Sequence, residues 1–439
     1  MVDTVDYIIV GAGIAGCVLA NRLSADPKNR VVVLEAGPMD RDPLIHIPIG
    51  IGKMHPERRH DWGYDSEPEP FTDDRVIEAM RGKVVGGSSS INVMAYVRGH
   101  REDFNRWAQK GATGWGYDDV LPYFRRNESW EGDADPEYRG SSGDLTVVQS
   151  PDRDPLLDAW IESAKVAGYG YTPDYNAAEQ EGFTRTQFTI RNGKRCSAAV
   201  AFLKPVLSRP NLELKTEALA GRILFEGKKA VGIEYSQGGV TRTLNASREV
   251  ILSGGVFNSP HLLMLSGIGP AGHLQEHGID VLLDSPGVGE NLQDHLAVMV
   301  SYDRKIPGTF TYHAVRPPRS RDAASAFLWH GAGDDRAGTS VRASEVTPGT
   351  LCARYPIHHS QRAGRRPPLV PGLQACVPRR VRHPPHPLAP RKPGPSTPSL
   401  RRSARHDESV PELLLRRQRY GDPTGRRPHG PTGDRANTT

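Results

Sequence analysis

Four residues, Tyr7-Ile-Ile-Val10, run directly into Gly11-Ala-Gly-Ile-Ala-Gly16, and an acid, Glu35, closes a second apolar run, Val31-Val-Val-Leu34. Between the two runs, Cys17-Val-Leu-Ala-Asn-Arg-Leu23 spaces its apolar residues three and four apart, the period of a helix. A strand, a glycine turn, a helix and a buried strand in immediate succession make a β-α-β unit, the opening of a doubly wound α/β sheet. Each glycine has its own physical task there. Gly11 permits the tight turn, Gly13 lets the backbone approach a pyrophosphate, and Gly16 lets the helix close on the strand. The helix N-terminus then offers unpaired N–H groups and a partial positive charge to phosphates. Glu35 is placed to accept both hydroxyls of an adenosine ribose, which favours FAD or NAD over NADP.

Further along, Pro38–Ala79 reads as loop, rich in Pro, Gly and charge, and residues 101–128 and 154–168 read as helical. Arg191-Asn-Gly-Lys194 is a turn. The stretch from Leu212 to Tyr235 reads as two strands about a turn at Glu226-Gly-Lys228, an antiparallel hairpin. Val250-Ile-Leu-Ser253 is one more buried strand, running into Gly254-Gly255 and a helix around His261–Leu265.

A second glycine cluster, Arg81-Gly-Lys-Val-Val-Gly-Gly-Ser-Ser-Ser-Ile-Asn-Val-Met-Ala95, combines many backbone donors with small side chains. Such a segment can lie flat against a flavin ring and a pyrophosphate; taken alone, it is also compatible with a tight structural loop. Its company is more specific. Asp6–Gly37, Trp62-Gly-Tyr64, Arg81–Ala95 with Tyr96–Trp107, Gly114-Trp-Gly-Tyr117, Gly255–Pro270 and Gly287-Val-Gly-Glu-Asn-Leu-Gln-Asp-His295 occur in that order. On these segments the chain resembles the glucose-methanol-choline (GMC) family of FAD-dependent oxidoreductases, above all its bacterial choline dehydrogenase-like and alcohol dehydrogenase members.

The resemblance implies FAD as cofactor, with Gly11, Gly13, Ile14, Ala15, Gly16, Glu35 and Ala36 around its ADP half. It puts Val84 and Asn92, Val93, Met94 and Ala95 along the flavin and its diphosphate, and the backbone of Ala220 against the adenine. Trp62, Arg81 and Ser88 complete the expected cofactor-binding set. Some relatives bond the flavin through a His just before the Asn; Ile91 stands there, so the FAD is expected to be non-covalent. The implied reaction passes a hydride from the carbon of a small-molecule alcohol, choline among the candidates, to flavin N5. The family's catalytic His lies in a C-terminal context that this sequence does not show, so no catalytic residue is assigned and activity is expected to be impaired; a flavin-binding remnant without turnover is the alternative. The His295 motif and Ser266-Gly-Ile-Gly269 are expected to be structural, and Cys17 inert. The expected organisation is a Rossmann-like FAD-binding domain in two parts, 1–150 and 201–307, a substrate-domain portion at 151–200 that leaves an incomplete α+β substrate domain, and a non-family tail at 308–439.

Composition sharpens that last boundary. Residues 311–439 carry 22 Arg and 1 Lys against 9 acids, so the net charge of +5 for the whole chain becomes −9 for residues 1–310. That sign suits a metabolic enzyme and not a nucleic-acid binder. The tail also holds 19 of the 37 prolines, in runs such as His383-Pro-Pro-His-Pro387, and cannot supply a packed core. It is expected to be disordered. Its use of Arg almost to the exclusion of Lys is what a shifted reading frame of a GC-rich gene produces, a genuine basic extension being the alternative. Four scattered cysteines with no CxxC pair exclude a disulfide framework or a zinc site. No apolar stretch is long enough for a membrane helix. The first strand begins too early to leave room for a leader peptide, and a cytoplasmic protein, at most resting on the inner face of the membrane, is expected. The electron acceptor stays open.

Overall fold

A computed structural model describes residues 3–150 and 155–295 together with a short strand at 341–344. Its centre is a six-stranded sheet made of β1 (Asp3–Val10), β2 (Val31–Leu34), β3 (Leu212–Lys215), β4 (Ala218–Glu226), β5 (Lys229–Gln237) and β6 (Val240–Leu252), in the order β4-β5-β6-β1-β2-β3. The four strands from β6 to β3 run parallel, while β4, β5 and β6 form an antiparallel meander at the other side. This is the doubly wound sheet with an appended hairpin that the sequence implies.

Alternating side chains explain why both faces are covered. Ile9, Val31 and Val33 point toward helix α1 (Ile14–Leu23), where they meet Cys17 and Ala20 and the π-helical turn Ala199–Leu203. Ile8, Val10, Val32 and Leu34 point the other way, onto Ala218, Ile223, Ile233, Leu244 and Leu262. Strands buried on both faces need the near-continuous β-branched runs that β1 and β2 possess. The small residues of α1 set how closely it lies on the sheet: a Cβ at Gly16 would fall 1.9 Å from the carbonyl oxygen of Gly11.

Two sequence expectations are corrected here. Residues 101–128 are not one helix but two, α2 (Arg101–Gln109) and α3 (Tyr117–Asn127), because Gly111 and Gly114 take the left-handed backbone (φ 105° and 81°) between them. Leu212–Lys215 is not part of the hairpin: β3 pairs parallel with β2, and the chain turns at Glu217 (φ 54°) before β4 begins. The last predicted strand is longer than expected, since β6 starts at Val240, and helix α5 (Gly255–Leu265) starts six residues before His261. Helix α4 (Pro155–Val166) and the turn at Asn192-Gly193 are as expected.

Beside the main sheet, Glu128–Glu131, Leu145–Gln149 and Gln187–Phe188 form a small three-stranded sheet. A buried ion cluster ties it down. The Glu128 carboxylate lies 3.0 Å from both Arg98 and Arg139, whose guanidinium groups stack on Phe124 and Trp130. Val341–Ser344 pairs antiparallel with the strand Gly182–Arg185. The rest of the expected disordered tail lies outside the described residues.

Candidate functional site: a nucleotide cradle at the carboxyl ends of the strands

In an open α/β sheet, ligands bind beyond the carboxyl ends of the parallel strands. Here β1, β2 and β6 end at Val10, Leu34 and Leu252, and all three residues line one cavity of about 1230 Å³. The turn after β1 forms its floor. Gly11 adopts φ 100°, and its α-carbon faces the turn after β6 so closely that a Cβ would meet the Ser253 carbonyl oxygen at 2.5 Å. Gly13, the N-cap of α1, has no side-chain capping bond, so the first N–H groups of the helix remain available to a ligand. A Cβ added at Gly13 would meet no protein atom nearer than 3.9 Å. Among the described residues no contact requires a glycine there, and the space it leaves open belongs to the cavity.

The second glycine cluster is zipped against the first. Gly86 donates its N–H to the Ala12 carbonyl at 2.7 Å, Val85 donates to Pro38 at 3.0 Å, and a Cβ at Gly87 would fall 2.8 Å from the α-carbon of Gly13. Gly37 is as tightly held, a Cβ there lying 2.1 Å from the Lys83 carbonyl oxygen. The loop from Arg81 to Ser88 therefore forms one wall of the cavity and touches the phosphate-turn geometry directly.

Glu35 stands between these parts. It is 5% exposed, and its two carboxylate oxygens accept the N–H groups of Ala12 and Gly37, each at 2.8 Å. Burial pushes its carboxyl above the usual carboxylate range, while the Gly37 and Ala12 N–H groups and the Lys83 ammonium pull the other way. The acid thus holds the turn after β1 to the turn after β2 and still faces the cavity, with a lone pair to spare on each oxygen.

An aromatic and cationic group flanks the opening. Trp62 and Tyr64 stack with centroids 5.7 Å apart, and Tyr64 meets the edge of Phe257 and donates its hydroxyl to Asn258 at 2.6 Å. Lys83 lies over Trp62 at 4.4 Å and Arg81 over Phe257 at 4.8 Å. Positive charge so placed suits a phosphate ligand.

Of the expected cofactor-binding residues, Gly11, Gly13, Ile14, Ala15, Glu35, Ala36, Trp62, Arg81, Ser88 and Ala220 line this cavity. Gly16 lies beneath it, pressed on Gly11, and Val84 is fully buried behind the wall. Asn92, Val93, Met94 and Ala95 do not line it. The Asn92 amide oxygen accepts the Met94 N–H at 3.0 Å and the buried Arg195 guanidinium at 2.8 Å. Cys17 behaves as expected: its thiol, pushed up to about 12 chiefly by burial, donates to the Ala12 carbonyl.

The sequence reading missed the wall made by the turn after β6 and the start of α5, including Ser253, Phe257, Asn258 and His261, and the turn at His277–Ile279. A signal was available. A strand followed at once by Gly254-Gly255 and a helix repeats the arrangement at Gly11–Gly16, and β6 is the parallel neighbour of β1.

Parallel strands ending at a glycine turn, a helix N-terminus and a ribose-height acid define the class of dinucleotide-binding α/β folds. Comparison with known proteins narrows the class: the GMC oxidoreductase profile matches residues 5–297, and the chain belongs to that family. It is 53% identical over 291 residues to an oxygen-dependent choline dehydrogenase of Sinorhizobium fredii, covering 66% of this chain and 53% of the relative. It is 49% identical over 304 residues to one from Brucella ovis, covering 69% and 55%. Among solved structures, pyridoxine 4-oxidase from Mesorbium loti matches with a TM-score of 0.61 at 36% identity, over 64% of this chain and 55% of that one. An FAD-dependent oxidoreductase from Chaetomium thermophilum matches at 0.63 and 34%, over 66% and 52%. The chain spans about half the length of the curated relatives it matches. Among the described residues, no helix is long and apolar enough to cross a membrane, and no group of His, Cys, Asp or Glu is placed to hold a metal.

Proposed function

We propose that the cavity holds FAD and that the chain is the nucleotide-holding part of an oxidoreductase acting on a small alcohol, with choline the first candidate. The observation that carries this reading is the open side of Gly13, a cradle that a Cβ would fill, at the N-terminus of a ten-residue helix and beside the carboxylate of Glu35. The N–H groups of α1 would bind the pyrophosphate, Glu35 the adenosine ribose, and the Arg81 and Lys83 cations would add to the attraction for phosphate. Bound FAD would supply a ring able to accept hydride from a CH–OH carbon. Attachment would be non-covalent, because Ile91, 3% exposed, offers no nucleophile at the position before Asn92. Residues 1–150 and 201–307 would form the FAD-binding unit and 151–200 part of the substrate side.

No described residue is assigned as the base that takes the hydroxyl proton, so turnover by this polypeptide is expected to be slow. The second reading is a protein that binds the nucleotide without turning over. One experiment separates them. The purified chain, incubated with FAD and freed of unbound flavin by gel filtration, should stay yellow and release its flavin on acid precipitation. Bleaching on anaerobic addition of choline supports the dehydrogenase, a stable yellow colour supports the non-catalytic binder, and a folded protein that stays colourless refutes both.

A further inference from the structure

We infer that Arg195 is a positioning residue for this site: its guanidinium holds the second glycine loop in the shape that presents Gly87 and Ser88 to a nucleotide. The inference rests on the nucleotide reading just given, and it ties the segment read there as substrate side to the cofactor side. The loop has little shape of its own. Gly86 and Gly87 both take the left-handed backbone, at φ 94° and 55°, and three serines follow. Glycine loses more conformational freedom on ordering than any other residue, so such a stretch keeps one conformation only when its surroundings hold it.

Arg195 does so from behind. It ends the short hairpin in which Ile190–Arg191 pairs with Lys194–Arg195, and it is 1% exposed. Its Nε donates to the Ile45 carbonyl at 2.7 Å. One terminal nitrogen donates to the carbonyls of Ser89 at 3.1 Å and Asn92 at 2.7 Å, and to the Asn92 amide oxygen at 2.8 Å. From there the path to the cavity is short. Asn92 donates its N–H to the Ser88 carbonyl at 2.9 Å, the Ser88 hydroxyl accepts the Gly82 N–H at 3.1 Å, and both Ser88 and Gly82 line the cavity. The chain after Arg195 adds two contacts: Ala198 donates its N–H to the Ser89 hydroxyl at 2.9 Å, and a Cβ at Gly86 would lie 3.2 Å from that of Ala199. Arg195 does not itself line the cavity, so its effect on a ligand runs through the loop. The planar guanidinium fork reaches Ile45 and Asn92 together; a lysine ammonium keeps the charge but not that span.

Three variants of the full chain test this: Arg195→Lys, Arg139→Lys and Ser89→Ala. Each is checked for folding by far-ultraviolet circular dichroism, titrated with FAD, and examined for the visible circular dichroism of the flavin at saturation. That last signal reports how the protein holds the ring, and a general loss of stability leaves it unchanged. Arg139 is also buried but stands under the small sheet and does not line the cavity, so it serves as the control. Arg195→Lys should weaken FAD by roughly 10- to 100-fold and alter the visible signal. Arg139→Lys should stay within about threefold of the parent with the signal unchanged, and Ser89→Ala should weaken FAD by about 3- to 10-fold with an altered signal. A folded Arg195→Lys chain with parental affinity and signal overturns the inference, as does an Arg139→Lys chain that loses as much. Where either arginine variant fails to fold, Ser89→Ala decides, and parental behaviour there overturns the inference. A folded parent that binds no FAD overturns the nucleotide reading itself, and this inference with it.

Discussion

A Cβ at Gly11 would sit 2.5 Å from a backbone carbonyl oxygen, whereas one at Gly13 would touch no protein atom closer than 3.9 Å. Substitution should therefore separate two quantities that usually fall together. Gly11→Ala, at φ 100°, is expected to cost about 1–3 kcal/mol of stability before any clash is relieved, read as a lower urea midpoint. Gly13→Ala should change stability by no more than about 1 kcal/mol, from the poorer N-cap. It should weaken FAD by roughly 10- to 100-fold, because the methyl group occupies ligand space. Equal effects of the two changes on stability would contradict the assignment. Glu35 yields a prediction in pH. Its folded-state pKa is raised, so its contribution to stability is fully present below the ordinary carboxylate pKa and is lost as pH rises through the raised value. Glu35→Gln cannot ionise. Whatever constant offset the exchanged acceptor introduces, the ligand-free variant should gain on the parent between acid pH and neutrality. Urea midpoints for both proteins at the two ends of that range give the sign directly.

Among the elements, β1, α1, β2 and the acid after β2 were legible from local signals alone, because both sheet faces bury those residues and the period of the pattern is unambiguous. Leu212–Lys215 was not. Four residues beside a hairpin read like its extension, and only the pairing with β2 reveals a separate parallel strand. The join between α2 and α3 was hidden likewise, by helix-forming residues on both sides of two glycines. At the site, the phosphate turn and Glu35 were read, but the wall from α5 was passed over, since the signal at Gly254-Gly255 gains its meaning only when β6 is placed beside β1. The cluster under the small sheet was equally invisible. It joins Arg98, Glu128 and Arg139 with side chains 3%, 0% and 0% exposed. Glu128→Gln removes the charge that both guanidinium groups share, leaving Arg139 only Asp174 at 3.5 Å. The expected loss is about 3–5 kcal/mol by chemical denaturation. Glu213→Gln, at an exposed pair with Lys215, should cost no more than about 1 kcal/mol. A Glu128→Gln protein as stable as the parent would show that the cluster is not held by its charges.

At the scale of the whole molecule, apolar side chains stand exposed on the outer side of α4 and the segment after it: Leu156, Trp160 and Val166 with Tyr169 and Tyr171. Exposed apolar side chains grouped in this way favour association. The protein is expected to bind an apolar dye and to scatter more light as its concentration rises, and Leu156→Lys with Val166→Lys should reduce both signals. Unchanged dye binding in that double variant would place the sticky surface elsewhere. The sheet order carries one more consequence, concerning synthesis. β6 is the last of the six strands to be made, yet it lies directly against β1, the first, and the turn after it packs against Gly11. On the ribosome, the phosphate turn must wait with one flank bare until residue 253 has left the exit tunnel. A nascent chain arrested before that point should be unable to capture a nucleotide, and one arrested after α5 has emerged should succeed.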